Sequence, residues 1–165
     1  MDLYLVRHGI AFQRDQERWP DDGDRPLTPQ GEKRFRAAAR GLGRLAPTVG
    51  ANLSSPLVRA WRTAEILAEE AGWPAPSSEP ALAEGSPQQL LELILGDGYA
   101  SAALVGHEPD LSRFASFLLA GAPGAVPIEM KKGGVACLRF DAAPAPGSAL
   151  LRWFATPKLL RAIGR

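Results

Sequence analysis

Cysteine is almost absent from this 165-residue chain: Cys137 stands alone, which excludes an internal disulfide and leaves a cysteine-based zinc site without its usual partners. A reducing compartment such as the cytoplasm fits that usage. Histidine is nearly as scarce, with His8 and His107 the two in the chain. Long apolar runs are missing as well. The opening run, Leu3 to Val6, is too short for the core of a signal peptide, and no run approaches the length of a membrane span. Nor does one sign of charge dominate: Lys and Arg number 19 against 18 Asp and Glu, and no Lys/Arg block suggests a nucleic-acid partner. Aromatic residues are 7% of the chain, and Trp19, Trp61, Trp73 and Trp153 are scattered as packing residues are, so no ligand is assigned to them.

What remains has the balance of a globular domain, with 45% hydrophobic and 22% charged residues, and the length suits one domain, residues 1–165. Leu3 to Val6 reads as a buried strand because its apolar residues run without alternation. Residues 11–26, charged and broken by Pro20, Gly23 and Pro26, read as a long loop, and loops of that length are usually functional. Thr28 then caps a helix with Pro29 in its first turn and Phe35, Ala38, Leu42 and Leu45 on one face. A strand at Ala51–Ser54 leads into a helix that Ser55-Pro56 starts, with Leu57, Ala60, Ala64, Leu67, Ala68 and Ala71 as its stripe and Gly72 as its stop. Leu90, Leu91, Leu93 and Ile94 predict a helix over 86–95, broken by Gly96-Asp97-Gly98. Ala102–Val105 is a second buried strand, and Pro109 opens a helix carrying Leu111, Phe114, Ala115, Leu118 and Leu119. Two strands, 135–140 and 149–154, and a short helix over 157–163 complete the chain. Alternation of this kind predicts a three-layer α/β/α sandwich: a mainly parallel sheet flanked by helices, with a less regular C-terminal edge.

Such sheets bind ligands beyond the carboxyl ends of their strands, and both histidines follow a buried strand directly: Leu5-Val6-Arg7-His8-Gly9 and Leu104-Val105-Gly106-His107-Glu108. The strand ending at Ser54 brings a helix N-terminus to the same edge, with Arg59 in its first turn. Two imidazoles, at least two guanidiniums and a helix start suit a tetrahedral dianion such as a phosphoryl group. Neighbouring positive charge keeps an imidazole neutral, and a neutral ring nitrogen can attack phosphorus.

Arg7-His8-Gly9 after the first strand, the Ser-Pro-x-x-Arg-x-x-x-Thr-Ala stretch at residues 55–64 and the late histidine in Val105-Gly106-His107-Glu108-Pro109 resemble the histidine phosphatase (phosphoglycerate mutase-like) superfamily. Chain size and Arg25-Pro26-Leu27-Thr28-Pro29-Gln30-Gly31 look most like its SixA-type phosphohistidine phosphatases. The resemblance implies a single histidine phosphatase domain in which His8 accepts the phosphoryl group. Arg7 and Arg59 clamp it, Arg25 adds a third guanidinium, and His107 donates a hydrogen bond to it. No cofactor is implied. A Glu or Asp protonates the leaving oxygen in many members, and Glu84 stands about where such a residue would be.

Taken singly, each feature has a plainer reading. Arg-His-Gly alone is a turn with a solvated arginine; a strand-end histidine is commonly satisfied by backbone; Arg59 could pair with Glu65, and Arg62 more naturally does so on the exposed side. A two-histidine metal site lacks a third ligand nearby. Together the motifs favour a metal-independent phosphatase acting on phosphohistidine in a phosphorylated protein. Its alternatives are a small-molecule phosphomonoesterase of the same superfamily and a non-catalytic phosphate-binding module. No membrane partner is implied, and the sequence sets no oligomeric state.

Overall fold

The apolar run that opens the chain becomes β1 (Asp2–Arg7), buried on both faces, and the rest of the molecule is arranged around it. The computed structural model describes residues 1–96 and 98–165; Asp97, within the predicted Gly96-Asp97-Gly98 break, lies outside the described residues. Thr28 caps α1 (Pro29–Leu45) by accepting the Gly31 N–H. β2 (Ala51–Ser54) and α2 (Val58–Ala71) follow, then a two-residue β3 (Ser77–Ser78) and a one-turn α3 (Ala81–Glu84), neither of which the sequence pattern predicts. Next come α4 (Pro87–Gly96), β4 (Ser101–Gly106), α5 (Asp110–Ala120), the strands β5 (Val135–Arg139) and β6 (Leu150–Ala155), and α6 (Pro157–Ile163).

The sheet order is β3-β2-β4-β1-β5-β6. β1 pairs in parallel with β4, and β2 in parallel with β4 and β3. β5 is antiparallel to β1 and to β6, with a register shift at Cys137/Leu138, which is the less regular edge expected. Alternation along β1 separates the two cores: Tyr4 and Val6 pack with residues of α1, α2 and α6, whereas Leu3 and Leu5 pack with residues of α4 and α5. Each large aliphatic side chain buried in this way contributes about 1.5–3 kcal/mol.

Two details depart from the sequence pattern. Leu45, the last residue of α1, is exposed, while Leu42 and Ala46 on either side of it are buried. Ser55 and Pro56 precede α2 and do not start it, because the Ser55 hydroxyl accepts the Leu57 N–H and keeps that turn outside the helix. The stripe of α2 is accordingly Ala60, Thr63, Ala64, Ile66 and Leu67, with Ala68 and Ala71 half-buried. Trp73 is a packing residue, with Nε1 donating to the Ala46 carbonyl and its ring 5.7 Å from that of Tyr4. Among the described residues no helix is long and apolar enough to cross a membrane.

Candidate active site

Register alone brings the two histidines together. Arg7 of β1 pairs with Gly106 of β4, so His8 and His107 stand one residue past matching positions on adjacent parallel strands. The His8 N–H donates to the Gly106 carbonyl at 3.1 Å, and the ring centroids lie 5.1 Å apart. β2 reaches the same edge, where the Ser55 N–H donates to the Val105 carbonyl at 3.0 Å. These three strand ends meet at a cavity of about 350 Å³ lined by Arg7, His8, Arg25, Arg59, His107, Glu108 and Lys132, with Phe12, Gln13 and Arg14 along its rim. All five residues that the sequence singles out, His8, His107, Arg7, Arg59 and Arg25, therefore line one space. Loop 11–26 forms one wall through Phe12, Gln13, Arg14 and Arg25, and its base is closed by the Ala11–Leu27 bridge.

Hydrogen bonds fix the imidazoles. His8 Nδ1 lies 2.7 Å from the Gly9 carbonyl, which can only accept, so Nδ1 carries the proton and Nε2 keeps the lone pair. His107 Nε2 lies 2.8 Å from Ser55 Oγ, which already accepts the Leu57 N–H. We assign the Ser55 hydroxyl proton to Nε2, which places the His107 proton on Nδ1, a buried atom without a partner. Burial pushes the His8 pKa down to about 3, assisted by the charges of His107, Arg59 and Arg7. Burial, with Arg59 and Arg25, pushes His107 down to about 4. Both rings are neutral at pH 7.

The guanidiniums are held by backbone carbonyls and one carboxylate. Arg7 Nη1 donates to the Met130 carbonyl at 2.6 Å, leaving its buried Nε unpaired. Arg59 Nη1 donates to the Asp22 carbonyl at 2.7 Å, and its Nε is likewise buried and unpaired. The fork of Arg25 is engaged by the Asp22 carboxylate and the Phe12 carbonyl. Arg59 pairs with Asp22, not Glu65; it is Arg62 that reaches Glu65, at 2.9 Å. Of the residues at the start of α2, Arg59 is the one in the cavity lining.

Glu84 does not reach the site: it is exposed at the end of α3 and is not part of the cavity wall. The carboxyl that does line it is Glu108, whose pKa burial raises and whose Oε2 accepts from the Ser112 hydroxyl at 2.5 Å. Lys132 is a second lining residue that the motifs did not single out, and burial beside Arg7, Arg25 and Arg59 lowers its pKa. Its delivery depends on Gly133, which adopts φ +78° and donates its N–H to the carbonyls of Arg7 and His8. The Lys131-Lys132-Gly133-Gly134 string was the available signal. Among the described residues, no group of three or more His, Cys, Asp or Glu is arranged to hold a metal ion.

The sequence profile of the histidine phosphatase superfamily (branch 1) matches residues 3–91. An uncharacterized protein of Picosynechococcus sp. is 40% identical over 147 residues, covering 87% of each chain. The protein histidine phosphatase SixA complexed with tungstate shares the fold with a TM-score of 0.80 at 24% identity, over 96% of this chain and 98% of that one. A SixA-type protein of Agrobacterium tumefaciens superposes with a TM-score of 0.78 at 20% identity, over 94% and 97% of the two chains. The profile match and the 40% relative together assign the chain to branch 1 of the histidine phosphatase superfamily.

Proposed function

We propose that residues 1–165 form one phosphatase domain that hydrolyses phosphohistidine on proteins, in the cytoplasm and without a metal or cofactor, through a covalent phosphoryl-His8 intermediate. The observation that carries this reading is a set of three buried nitrogens without partners, Arg7 Nε, Arg59 Nε and His107 Nδ1, beside a neutral imidazole whose Nε2 lone pair is available. Buried donors are nearly always satisfied in folded proteins, so three unpaired nitrogens on residues lining one cavity, where among the described residues Glu108 Oε1 is the one unpaired buried side-chain oxygen, favour a ligand with several acceptor oxygens.

In the first step His8 Nε2 attacks phosphorus, the P–N bond to the substrate imidazole breaks, and that imidazole leaves neutral, keeping the proton its other ring nitrogen already carried. Arg7, Arg59 and His107 donate to the non-bridging oxygens, whose charge builds in the transition state, and Arg25 adds its field from the loop. Water then attacks phosphorus, the P–N bond to His8 breaks, and inorganic phosphate leaves with His8 restored. A protonated imidazole is a better leaving group than an alkoxide. This favours phosphohistidine over esters, as does the fold shared with the protein histidine phosphatase SixA.

Phosphate release with EDTA present, from a phosphohistidine protein, a phosphoserine peptide and an aromatic phosphomonoester, tests the reading. The expected result is preference for phosphohistidine and loss of at least about 10⁴-fold in turnover for His8→Ala. Preference for the ester would replace it with the phosphomonoesterase, and phosphate binding without turnover would replace it with a binding module.

A further inference from the structure

Two of the cavity's guanidiniums share a partner that is not itself part of the cavity wall. Residues 22–24 form a single 3₁₀ turn, which Asp21 opens by accepting the Gly23 N–H. The turn sets Asp22 and Arg25, three residues apart, on one side. Asp22 Oδ1 accepts from Arg25 Nε at 2.8 Å and Oδ2 from Arg25 Nη2 at 3.3 Å, and Oδ2 also forms an ion pair with Arg59 Nη2 at 3.2 Å. Its backbone carbonyl accepts from Arg59 Nη1 at 2.7 Å. Arg14, largely exposed, adds only a loose contact at 3.6 Å. One residue thus ties a loop arginine to a helix arginine. The side chains of Arg25 and Arg59 are 8% and 6% exposed, whereas that of Asp22 is 41% exposed, so the carboxylate holds both forks from the solvent side.

We propose that Asp22 is a positioning residue, fixing the Arg25 and Arg59 forks side by side for the phosphoryl group; this rests on reading the cavity as a phosphoryl site. Two buried guanidiniums repel each other, and burial together with Arg25 already lowers the pKa of Arg59. Without a carboxylate between them, each would have to be held at a cost during the reaction, and transition-state donors are effective only when aimed beforehand. The rival role is that of a plain counter-charge. An anion beside the site repels a dianionic substrate, so removing a mere counter-charge would tighten phosphate binding and leave the chemical step intact. The two roles predict opposite signs.

The test compares Asp22→Ala, Asp22→Asn and Asp22→Glu in the full chain. Asp24→Asn is the control, since it removes the same charge from the same turn at a residue that is exposed and outside the cavity wall. kcat and KM are measured on phosphoramidate and an aromatic phosphomonoester, and inorganic phosphate binding by calorimetry. Asp22→Ala is expected to lower kcat about 100-fold with a smaller rise in KM and weaker phosphate binding. Asp22→Asn, which keeps one acceptor oxygen, and Asp22→Glu, which keeps the charge, should each recover part of that loss, and Asp24→Asn should stay within about twofold. Unchanged kcat with tighter phosphate binding in Asp22→Ala would overturn the proposal, as would an equal loss in Asp24→Asn. Thermal unfolding is run in parallel. Should Asp22→Ala lose its fold, Asp22→Asn decides by the same readouts, with unchanged kcat counting against. Wild-type turnover tests the phosphatase reading separately: without turnover, calorimetry still decides for Asp22, weaker phosphate binding in Asp22→Ala supporting it and tighter binding overturning it.

Discussion

Three arginines held within the cavity, Arg7, Arg25 and Arg59, contrast with three on the surface of the helices; Arg14, at the cavity rim, is largely exposed. On the outer face of α1 and α2, Arg36, Arg40 and Arg62 share four carboxylates. Arg62 reaches Glu32 at 2.7 Å, Glu69 at 2.8 Å and Glu65 at 2.9 Å; Arg36 reaches Glu69, Glu70 and Glu32; Arg40 reaches Glu70. In the cavity, Arg7, Arg25 and Arg59 have Asp22 as the shared carboxylate on two of them, with Lys132 adding charge of the same sign. The pKa directions diverge to match. Hydrogen bonding to Glu32 raises Arg62, and bonding to Glu70 raises Arg36, whereas burial lowers Arg59. An arginine surrounded by carboxylates has its donors spent; one buried with its Nε unpaired has a donor to give. The supply of carboxylate, more than the count of cations, separates a binding site from a surface network.

The largest expected effect tests that contrast directly. Arg59→Ala or Arg7→Ala should lower kcat/KM on a phosphohistidine protein by about 10²–10³, or 2.7–4 kcal/mol, the usual cost of one transition-state donor. Arg59→Lys should recover little of it, because a point charge cannot reproduce the guanidinium fork that Asp22 orients. If Arg62→Ala slows turnover as much as Arg59→Ala, the contrast between the two groups is wrong.

Much of this was legible because the site is built at strand ends. An unbroken apolar run announces a buried parallel strand, and the residue following it must emerge at the sheet edge, so the pattern itself places His8 and His107 at one edge, where the β1–β4 register sets them side by side. Arg59 and Arg62 were separable by their position on one helix. What escaped depends on contacts between distant segments. Lys132 arrives through a glycine turn that the Lys131-Lys132-Gly133-Gly134 string hints at, but the bonds of its N–H to the carbonyls of Arg7 and His8 join segments far apart in sequence. Asp22 lies in a loop whose charge and length mark it as functional but single out no residue for the Arg25–Arg59 contact, although its i, i+3 spacing to Arg25 is visible. Glu84 was placed by analogy of position, and the one-turn α3 leaves it exposed outside the cavity, where Glu108 stands instead.

Acid sharpens the comparison at an intermediate scale. The folded pKa values of His8 and His107, about 3 and about 4, lie below the ordinary value of 6.5, so the unfolded chain binds protons first as pH falls. Stability is therefore complete above pH 6.5 and is lost as pH drops toward the folded values. Between pH 7 and 5.5 the two rings should together remove about 2.5 kcal/mol. The network is silent in that window. Arginine hydrogen bonds hold Glu32, Glu69 and Glu70 below the ordinary carboxylate value, so their contribution is lost only at lower pH, as they protonate. Urea unfolding at the two pH values should show the drop, and His8→Ala should show roughly half of it. A drop of full size in His8→Ala would place its origin elsewhere.

The smallest effect belongs to the network itself. Arg62 joins α1 to α2, since Glu32 lies on the first helix and Glu65 and Glu69 on the second. Its side chain is 27% exposed and Glu69 43%, so water screens these pairs and an isolated one would be worth no more than about 1 kcal/mol. Arg62→Ala should accordingly lower unfolding stability by about 1 kcal/mol and leave kcat/KM within about twofold. At 1 M salt, where the screening length falls to about 3 Å, the stability difference from wild type should shrink by half or more. The loss from Arg59→Ala should persist there, because its guanidinium is buried and, in the proposed reaction, would meet the phosphoryl group directly. If the two losses respond to salt alike, burial is not what distinguishes the cavity from the surface.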